Sequence, residues 1–285
     1  MTGSLSPDLR ARIALDKVRF QTVHSLGQNF LMDGKLLSEL LDEIKLKSDD
    51  CVLEIGPGAG VMTALIAERV SRVCAVEIDE NLRPVLTDVL SPCRNVEVRF
   101  ADFMKLDVKQ LVDEAFGDRP YRVIANIPYY ITADILQRLT TLERLAEKIS
   151  LMLQKEVALR LMSEPGDREW CALAATVRAY GTTHELREVP PEDFHPSPQV
   201  MSSFIEICRE IPPVAEGEEM RQLRRMIRTA FQMRRKTLVN NIKSGYGIDR
   251  EQAQEILKAA GIRENVRGED LTLEQLLDVA RRLNG

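Results

Sequence analysis

The 285-residue chain lacks the residue clusters on which several protein classes depend. Its five cysteines, Cys51, Cys74, Cys93, Cys171 and Cys208, are odd in number, scattered, and contain no CxxC pair. That spacing excludes a disulfide framework, and most of the five sit in apolar strand-like contexts suited to reduced core residues of a cytoplasmic protein. The histidines, His24, His184 and His195, are too dispersed for a metal site, so no metal is expected. No apolar run approaches membrane-spanning length, which argues against a membrane partner. The opening Met1-Thr-Gly-Ser-Leu-Ser-Pro7 lacks a charged segment followed by an apolar one, so no signal peptide is expected. Internal repeats and low-complexity tracts are also missing.

Basic charge is scarce overall. The net charge is −5 and the pI about 5.5, an average that argues mildly against a nucleic-acid partner. It hides a local asymmetry. Arg221, Arg224, Arg225, Arg228, Arg234, Arg235 and Lys236 fall between residues 221 and 240, where no acid occurs. A solvated helix face would mix both signs, so this stretch is a candidate contact for a phosphate backbone.

What is present is an ordinary globular composition, 44% hydrophobic and 29% charged, long enough for one large domain and a small one. Leu36, Leu37, Leu40, Leu41 and Ile44 fall at helical spacing. Short apolar strands then alternate with helices: strands over 51–55, 73–76, 96–100, 122–125 and 149–153, helices over 61–70, 81–90, 111–116 and 131–139. Such alternation predicts a doubly wound α/β fold, a parallel sheet covered on both faces. The segments 173–188 and 200–208 read as two further strands. Ile211-Pro-Pro-Val-Ala-Glu-Gly217 reads as a linker, giving domains of 1–210 and 211–285, the second all helical. In it a broken stripe from Leu223 to Ile242 stops at Gly245 and Gly247. Asp249 caps a helix ending at Gly261, and Thr272 with Gln275 forms a capping box for the last helix.

Two motifs carry chemistry. Glu54-Ile-Gly56-Pro-Gly58-Ala-Gly60 follows the first strand of the sheet and opens a helix; its glycines allow close approach of a ligand to the backbone. Glu77 ends the next strand 21 residues after Gly56, where a carboxylate can bind both ribose hydroxyls of an adenosine. A dinucleotide-binding fold offers a similar pattern. Two details favour S-adenosylmethionine: Val61 stands where the dinucleotide fingerprint wants Gly or Ala, and Glu54 would place negative charge near a sulfonium and an amine. Asp102, after the third strand, could hold the adenine amine; a turn residue is the plainer reading.

The second motif, Asn126-Ile127-Pro128-Tyr129, follows the strand at 122–125. An exocyclic amine is a poor nucleophile because its lone pair is delocalised into the ring. The Asn126 side-chain oxygen and the Ile127 carbonyl could accept its two N–H bonds and draw the nitrogen toward tetrahedral geometry. Pro128 stiffens the turn, and Tyr129 offers a face for a base taken out of its helix. An ordinary strand-ending turn has the same residues.

In this order, the motifs resemble those of the ribosomal RNA adenine N6,N6-dimethyltransferase family, bacterial KsgA type, from about residue 20 to the end. His24-Ser-Leu-Gly27-Gln28-Asn29-Phe30-Leu31 is similar to the family's GQNFL signature, which lies over the cofactor, and so implies that Asn29 and Leu31 join Gly56, Gly58, Glu77, Asp102 and Asn126 there. Gln154-Lys155-Glu156-Val157-Ala158 is similar to a family segment after the fifth strand. Phe194-His195-Pro196-Ser197-Pro198-Gln199-Val200 resembles its F-x-P-x-P-x-V stretch, which implies Phe194 on the face of the target base opposite Tyr129; a core anchor is the bland alternative. Arg234-Arg235-Lys236-Thr237-Leu238 and Arg267-Gly-Glu269-Asp-Leu271-Thr272 match the family's small C-terminal domain. The chain departs from the pattern at Trp170-Cys171, where Tyr-Gly is frequent, and at Met201-Ser202-Ser203, where an acid usually follows Val200.

The resemblance implies a Rossmann-like class I methyltransferase sheet with a small all-helical C-terminal domain. It implies transfer of methyl groups from S-adenosylmethionine to N6 of two adjacent adenosines in the 3′-terminal hairpin of small-subunit ribosomal RNA, within an immature small ribosomal subunit. Nothing suggests an oligomer, so a cytoplasmic monomer is expected. The alternatives are the related large-subunit methyltransferase of the macrolide-resistance type, a non-catalytic ribosome-assembly or transcription-associated binding factor, and a nicotinamide-dependent oxidoreductase. The C-terminal motifs disfavour the first, Asn126, Tyr129 and Glu77 the second, and Val61 with the Asn-Ile-Pro-Tyr motif the third.

Overall fold

The computed structural model describes residues 5–23, 26–142 and 144–284. His24 and Ser25 of the signature, and most of the opening heptapeptide, lie outside the described residues. In chain order the elements are α1 (Pro7–Lys17), β1 (Phe30–Leu31), α2 (Gly34–Glu43), β2 (Cys51–Ile55), α3 (Val61–Ala67), β3 (Arg72–Glu77), α4 (Arg83–Leu90) and β4 (Val96–Phe100). Then come α5 (Val108–Phe116), β5 (Arg122–Asn126), α6 (Thr132–Thr141), β6 (Lys148–Gln154), α7 (Lys155–Leu161), α8 (Ala172–Tyr180), β7 (Gly181–Val189), β8 (Phe194–His195) and β9 (Ser202–Arg209). The helices α9 (Gly217–Phe231), α10 (Leu238–Tyr246), α11 (Arg250–Ala259) and α12 (Leu273–Asn284) complete the chain.

Local chemistry places the helix starts. Asp33 caps α2 by accepting from the Lys35 and Leu36 N–H groups, and Asp107 caps α5 through the Gln110 N–H. Pro84 lies in the first turn of α4, where its missing N–H costs nothing.

Among the described residues, seven strands form one sheet in the order β4-β3-β2-β5-β6-β9-β7. The pairings β2–β3, β3–β4, β2–β5 and β5–β6 are parallel; β6–β9 is antiparallel. Every residue of the central β2 is buried, as a strand covered on both faces requires. The connections reverse direction at β2, whose neighbours are β3 and β5. Ligands of such sheets bind beyond the carboxyl ends of the strands flanking this reversal.

The expectation of two strands over 173–188 and 200–208 is half right. Residues 172–180 are helical, and only 181–189 are extended. Ala172, Ala174, Ala175 and Ala179 make this stretch a strong helix former, and its apolar run is equally readable as a strand.

The chain divides into two compact units, residues 1–158 with 184–208 and residues 159–183 with 209–285. The second unit therefore takes in a segment that the 210/211 boundary assigned to the first domain. Trp170, Ala174, Ala175 and Ala179 share a hydrophobic cluster with Leu223, Met226, Leu276 and Ala280, so burial draws this segment to the C-terminal helices. The Asp249 and Thr272–Gln275 caps form as expected. Gly245 does not stop the stripe: it lies inside α10, where an added Cβ would meet the Thr229 side chain at 2.6 Å. Gly247, with φ +68°, ends the helix.

Candidate active site

Parallel register brings the motifs to one edge of the sheet. Ile55 pairs with Ala125, so Gly56 and Asn126 leave their strands side by side; a Cβ at Gly56 would lie 3.8 Å from the Asn126 carbonyl oxygen. Glu77 pairs with Phe100, which sets Ala101 and Asp102 beside the end of β3. A cavity of about 880 Å³, its open mouth included, lies over these ends. Its wall contains Gly56, Gly58, Glu77, Asp102, Asn126, Ile127 and Tyr129, together with Asn29 from the signature segment. The helix α3 starts behind the glycine loop. Gly58 has φ +57°, and a side chain there would drive a Cβ to 2.9 Å from the Phe30 ring, so glycine is required for the segment 26–30 to close down on the loop.

Hydrogen bonds tie that segment to the candidate ligand-binding residues. The Gln28 Nε2 donates to Asp79 at 2.7 Å, and its Oε1 accepts from the Val23 N–H at 2.7 Å. Asp79 in turn donates its N–H to Glu77 Oε1 at 2.8 Å, while Gly58 donates to Glu77 Oε2 at 3.1 Å. Glu77 is thus oriented by backbone donors, one of them from the glycine loop itself. Burial raises its carboxyl above the usual range, and the N–H groups of Asp79, Gly58 and Ile78 oppose that rise.

The amide of Asn126 is oriented by a distant residue. Its Nδ2 donates to the Asn29 carbonyl at 3.0 Å. The donor end of the amide is therefore occupied, and no donor among the described residues bonds its Oδ1, the acceptor that an exocyclic amine needs. Tyr129 opens a short 3₁₀ turn, and its hydroxyl lies 2.7 Å from the hydroxyl of Ser202 on β9. Asp102 serves as the turn residue it resembles, accepting from the Met104 N–H at 2.9 Å and pairing with Lys105 at 3.2 Å, yet it also faces the cavity.

Three expected placements differ. Phe194 does not line the cavity: it is 4% exposed, pairs with Leu31 across β1–β8, and belongs to the main hydrophobic core, so it is a core anchor here. Leu31, its partner, is buried in the same core and also off the cavity wall. Glu54 lies beneath the loop, 1% exposed, and burial pushes its carboxyl up to about 8, with Glu77 adding to the rise. At neutral pH it is mostly uncharged, and the negative charge expected of it does not face the ligand site.

Sequence reasoning missed the apolar wall: Ile78, Leu82, Phe103, Met104, Ile131 and Ile135. Several of these stand within two residues of Glu77, Asp102 or Tyr129, a proximity that could have drawn attention to them. Among the basic residues, Arg221 pairs with Glu218 at 2.8 Å and Arg234 lies 3.8 Å from Glu269. Arg225 lies over the Tyr246 ring at 4.1 Å, and burial lowers the Arg224 guanidinium below its usual range. Arg228, Arg235 and Lys236 are exposed and form no ion pair among the described residues. Part of the cluster's charge is thus compensated by acids outside the 221–240 window.

The sheet order with its antiparallel β9, the glycine loop after β2 and the acid ending β3 define a class I methyltransferase. An acid beside an apolar wall suits the ribose and adenine of S-adenosylmethionine, the cofactor of that class, and the glycine loop leaves room for its backbone contacts. The model of the family described as ribosomal RNA adenine dimethylase matches residues 19–285, and the chain belongs to that family. A relative in Alkaliphilus metalliredigens, ribosomal RNA small subunit methyltransferase A, is 40% identical over 276 residues, covering 96% of each chain. The protein of the same name from a Geobacillus species is 36% identical over 288 residues, covering 99% of each. Among solved structures, a dimethyladenosine transferase from Plasmodium falciparum aligns with a TM-score of 0.74 at 22% identity, covering 88% of this chain and 95% of that one. The 23S rRNA methyltransferase ErmE aligns with a TM-score of 0.67 at 26% identity, covering 90% and 100%.

Proposed function

We propose that this protein transfers methyl groups from S-adenosylmethionine to N6 of adenosines in small-subunit ribosomal RNA, twice at each nitrogen. The observation that carries the reading is the fixed amide of Asn126, whose donor end is held by the Asn29 carbonyl. Bound S-adenosylmethionine supplies a methyl group on a sulfonium, which needs no metal to be electrophilic. Asn126 Oδ1 and the Ile127 carbonyl would accept hydrogen bonds from the N6–H groups, two in the first transfer and one in the second, concentrating the lone pair on nitrogen toward the methyl carbon. The N–C bond would form as the methyl–sulfur bond breaks, leaving a neutral thioether, and the surplus N6 proton would pass to water. Tyr129, steadied by Ser202, would stack on the withdrawn base. Glu77 would hold the ribose hydroxyls. The catalysis required of these residues is positioning and polarisation of the amine.

Small-subunit RNA is favoured over large-subunit RNA by the higher identity to the small-subunit relatives, 36–40% against 26% for ErmE. Within the 221–236 cluster, Arg228, Arg235 and Lys236, exposed and without an ion pair among the described residues, would contact the RNA backbone. Incubation with methyl-labelled S-adenosylmethionine and immature small subunits, followed by digestion of the RNA, tests the reading. Labelled N6,N6-dimethyladenosine from the small-subunit RNA is expected; label confined to large-subunit RNA, or none, would overturn it.

A further inference from the structure

We propose that Tyr130 is a second stacking platform, at the rim of the cavity, that takes the nucleotide flanking the methylated adenosine. The inference rests on the reading of the cavity as the site of a withdrawn base. Such a base stays joined to its neighbours through the sugar–phosphate backbone, so at least one neighbour must pass over the rim. Tyr130 is on the cavity wall and 62% exposed, and among the described residues it is the one aromatic side chain among the exposed large hydrophobics. An exposed ring at the mouth of a site is surface that water solvates poorly.

The ring is backed rather than loose. Gly27 has φ +59°, and a Cβ built there would lie 3.2–3.3 Å from two ring atoms of Tyr130 and 3.2 Å from Pro128. The missing side chain at Gly27 lets the ring rest on the signature segment, which the Gln28–Asp79 bond fastens to the ligand site. Ile78, 50% exposed, is a second apolar residue of the same rim. Tyr129 and Tyr130 therefore divide the work: one partly buried and tied to Ser202 for the reacting base, one solvent-facing for its neighbour. A π-face accepts any base, so the platform contributes affinity and orientation with little sequence preference.

The test uses the full chain and small subunits reconstituted with an abasic residue at either neighbour of the target adenosine. On intact RNA, Tyr130→Ala is expected to lower kcat/KM by roughly 5- to 150-fold, the equivalent of about 1–3 kcal/mol per stacked base. Tyr130→Phe should restore the parent value, and Tyr130→Leu, apolar but without a π-face, should not. Affinity for S-adenosylmethionine, measured by calorimetry, should stay unchanged in all three. Removing one flanking base should cost the parent a similar factor and cost Tyr130→Ala nothing more. Parent-like turnover by Tyr130→Ala, additive losses at both neighbours, or a parallel loss of cofactor affinity would overturn the platform and leave the functional reading standing. A parent inactive on intact subunits would overturn the functional reading, and the platform with it.

Discussion

Replacing Asn126 by alanine removes two things at once, and the structure allows them to be measured apart. One is the side-chain oxygen that would accept an N6 hydrogen. Loss of a single preorganised group that acts on developing charge lowers kcat by about 10²–10³-fold, or about 2.7–4 kcal/mol. The other is the 3.0 Å bond from Nδ2 to the Asn29 carbonyl, which ties the signature segment to the end of β5. A part-buried carbonyl left without its donor costs about 1–3 kcal/mol, and water at the cavity mouth would reduce that toward the lower bound. Asn126→Ala should therefore fold, bind S-adenosylmethionine with modestly weakened affinity, and transfer methyl groups at least a hundredfold more slowly. Asn126→Asp separates the terms. It keeps an acceptor oxygen but sets a second oxygen against the Asn29 carbonyl, so the segment should detach and cofactor affinity fall more than in the alanine variant. Single-turnover transfer to unmethylated small subunits at saturating cofactor isolates the chemical step. A rate for Asn126→Ala within threefold of the parent would refute the polarisation argument and reduce the motif to a turn.

Glu77→Ala should weaken S-adenosylmethionine binding by roughly 10- to 150-fold, since a charge-assisted hydrogen bond contributes about 1.5–3 kcal/mol; unchanged calorimetric affinity would remove Glu77 from the site. Simultaneous alanine substitution of Arg228, Arg235 and Lys236 should lower the slope of log affinity against log salt for the RNA by roughly 2–3 while sparing cofactor binding; an unaltered slope would return them to a solvated face. Glu54 supplies a pH dependence of stability. Its folded carboxyl, at about 8, lies above its unfolded value of 4.5, so its contribution is full below 4.5 and is lost as pH rises through 8. Glu54→Gln should therefore flatten the decline of Tm between pH 5 and pH 9, and a decline as steep as the parent's would exclude burial of this acid as its cause.

Much of the architecture was legible in the chain because it follows from local patterns. Five apolar strands alternating with helices, an aspartate before a helix, a glycine loop and an acid at a strand end are short-range features, and each formed where expected. The Ala172–Tyr180 segment was misread because an apolar run suits a helix or a strand equally, and its packing against α9 and α12 residues such as Leu223 and Leu276 was not visible locally. Phe194 was expected at the target base, but a phenylalanine in a proline-rich loop serves a cavity wall or a core alike; pairing with Leu31, far earlier in the chain, places it in the core.

The sequence by itself determined which chemical groups meet: the motif order fixes a parallel sheet, and the sheet carries Gly56, Glu77, Asp102 and Asn126 to the carboxyl ends of neighbouring strands. Tertiary structure decided the state of those groups. Burial, a property of the packed chain, makes Glu54 an uncharged acid instead of a ligand for a cation. Glu218 and Glu269 neutralise two arginines of a stretch that contains no acid of its own. The Asn29 carbonyl, 97 residues away, sets which end of the Asn126 amide is left to act. Charge state and hydrogen-bond direction depend on partners and desolvation, and those exist only once the chain has folded.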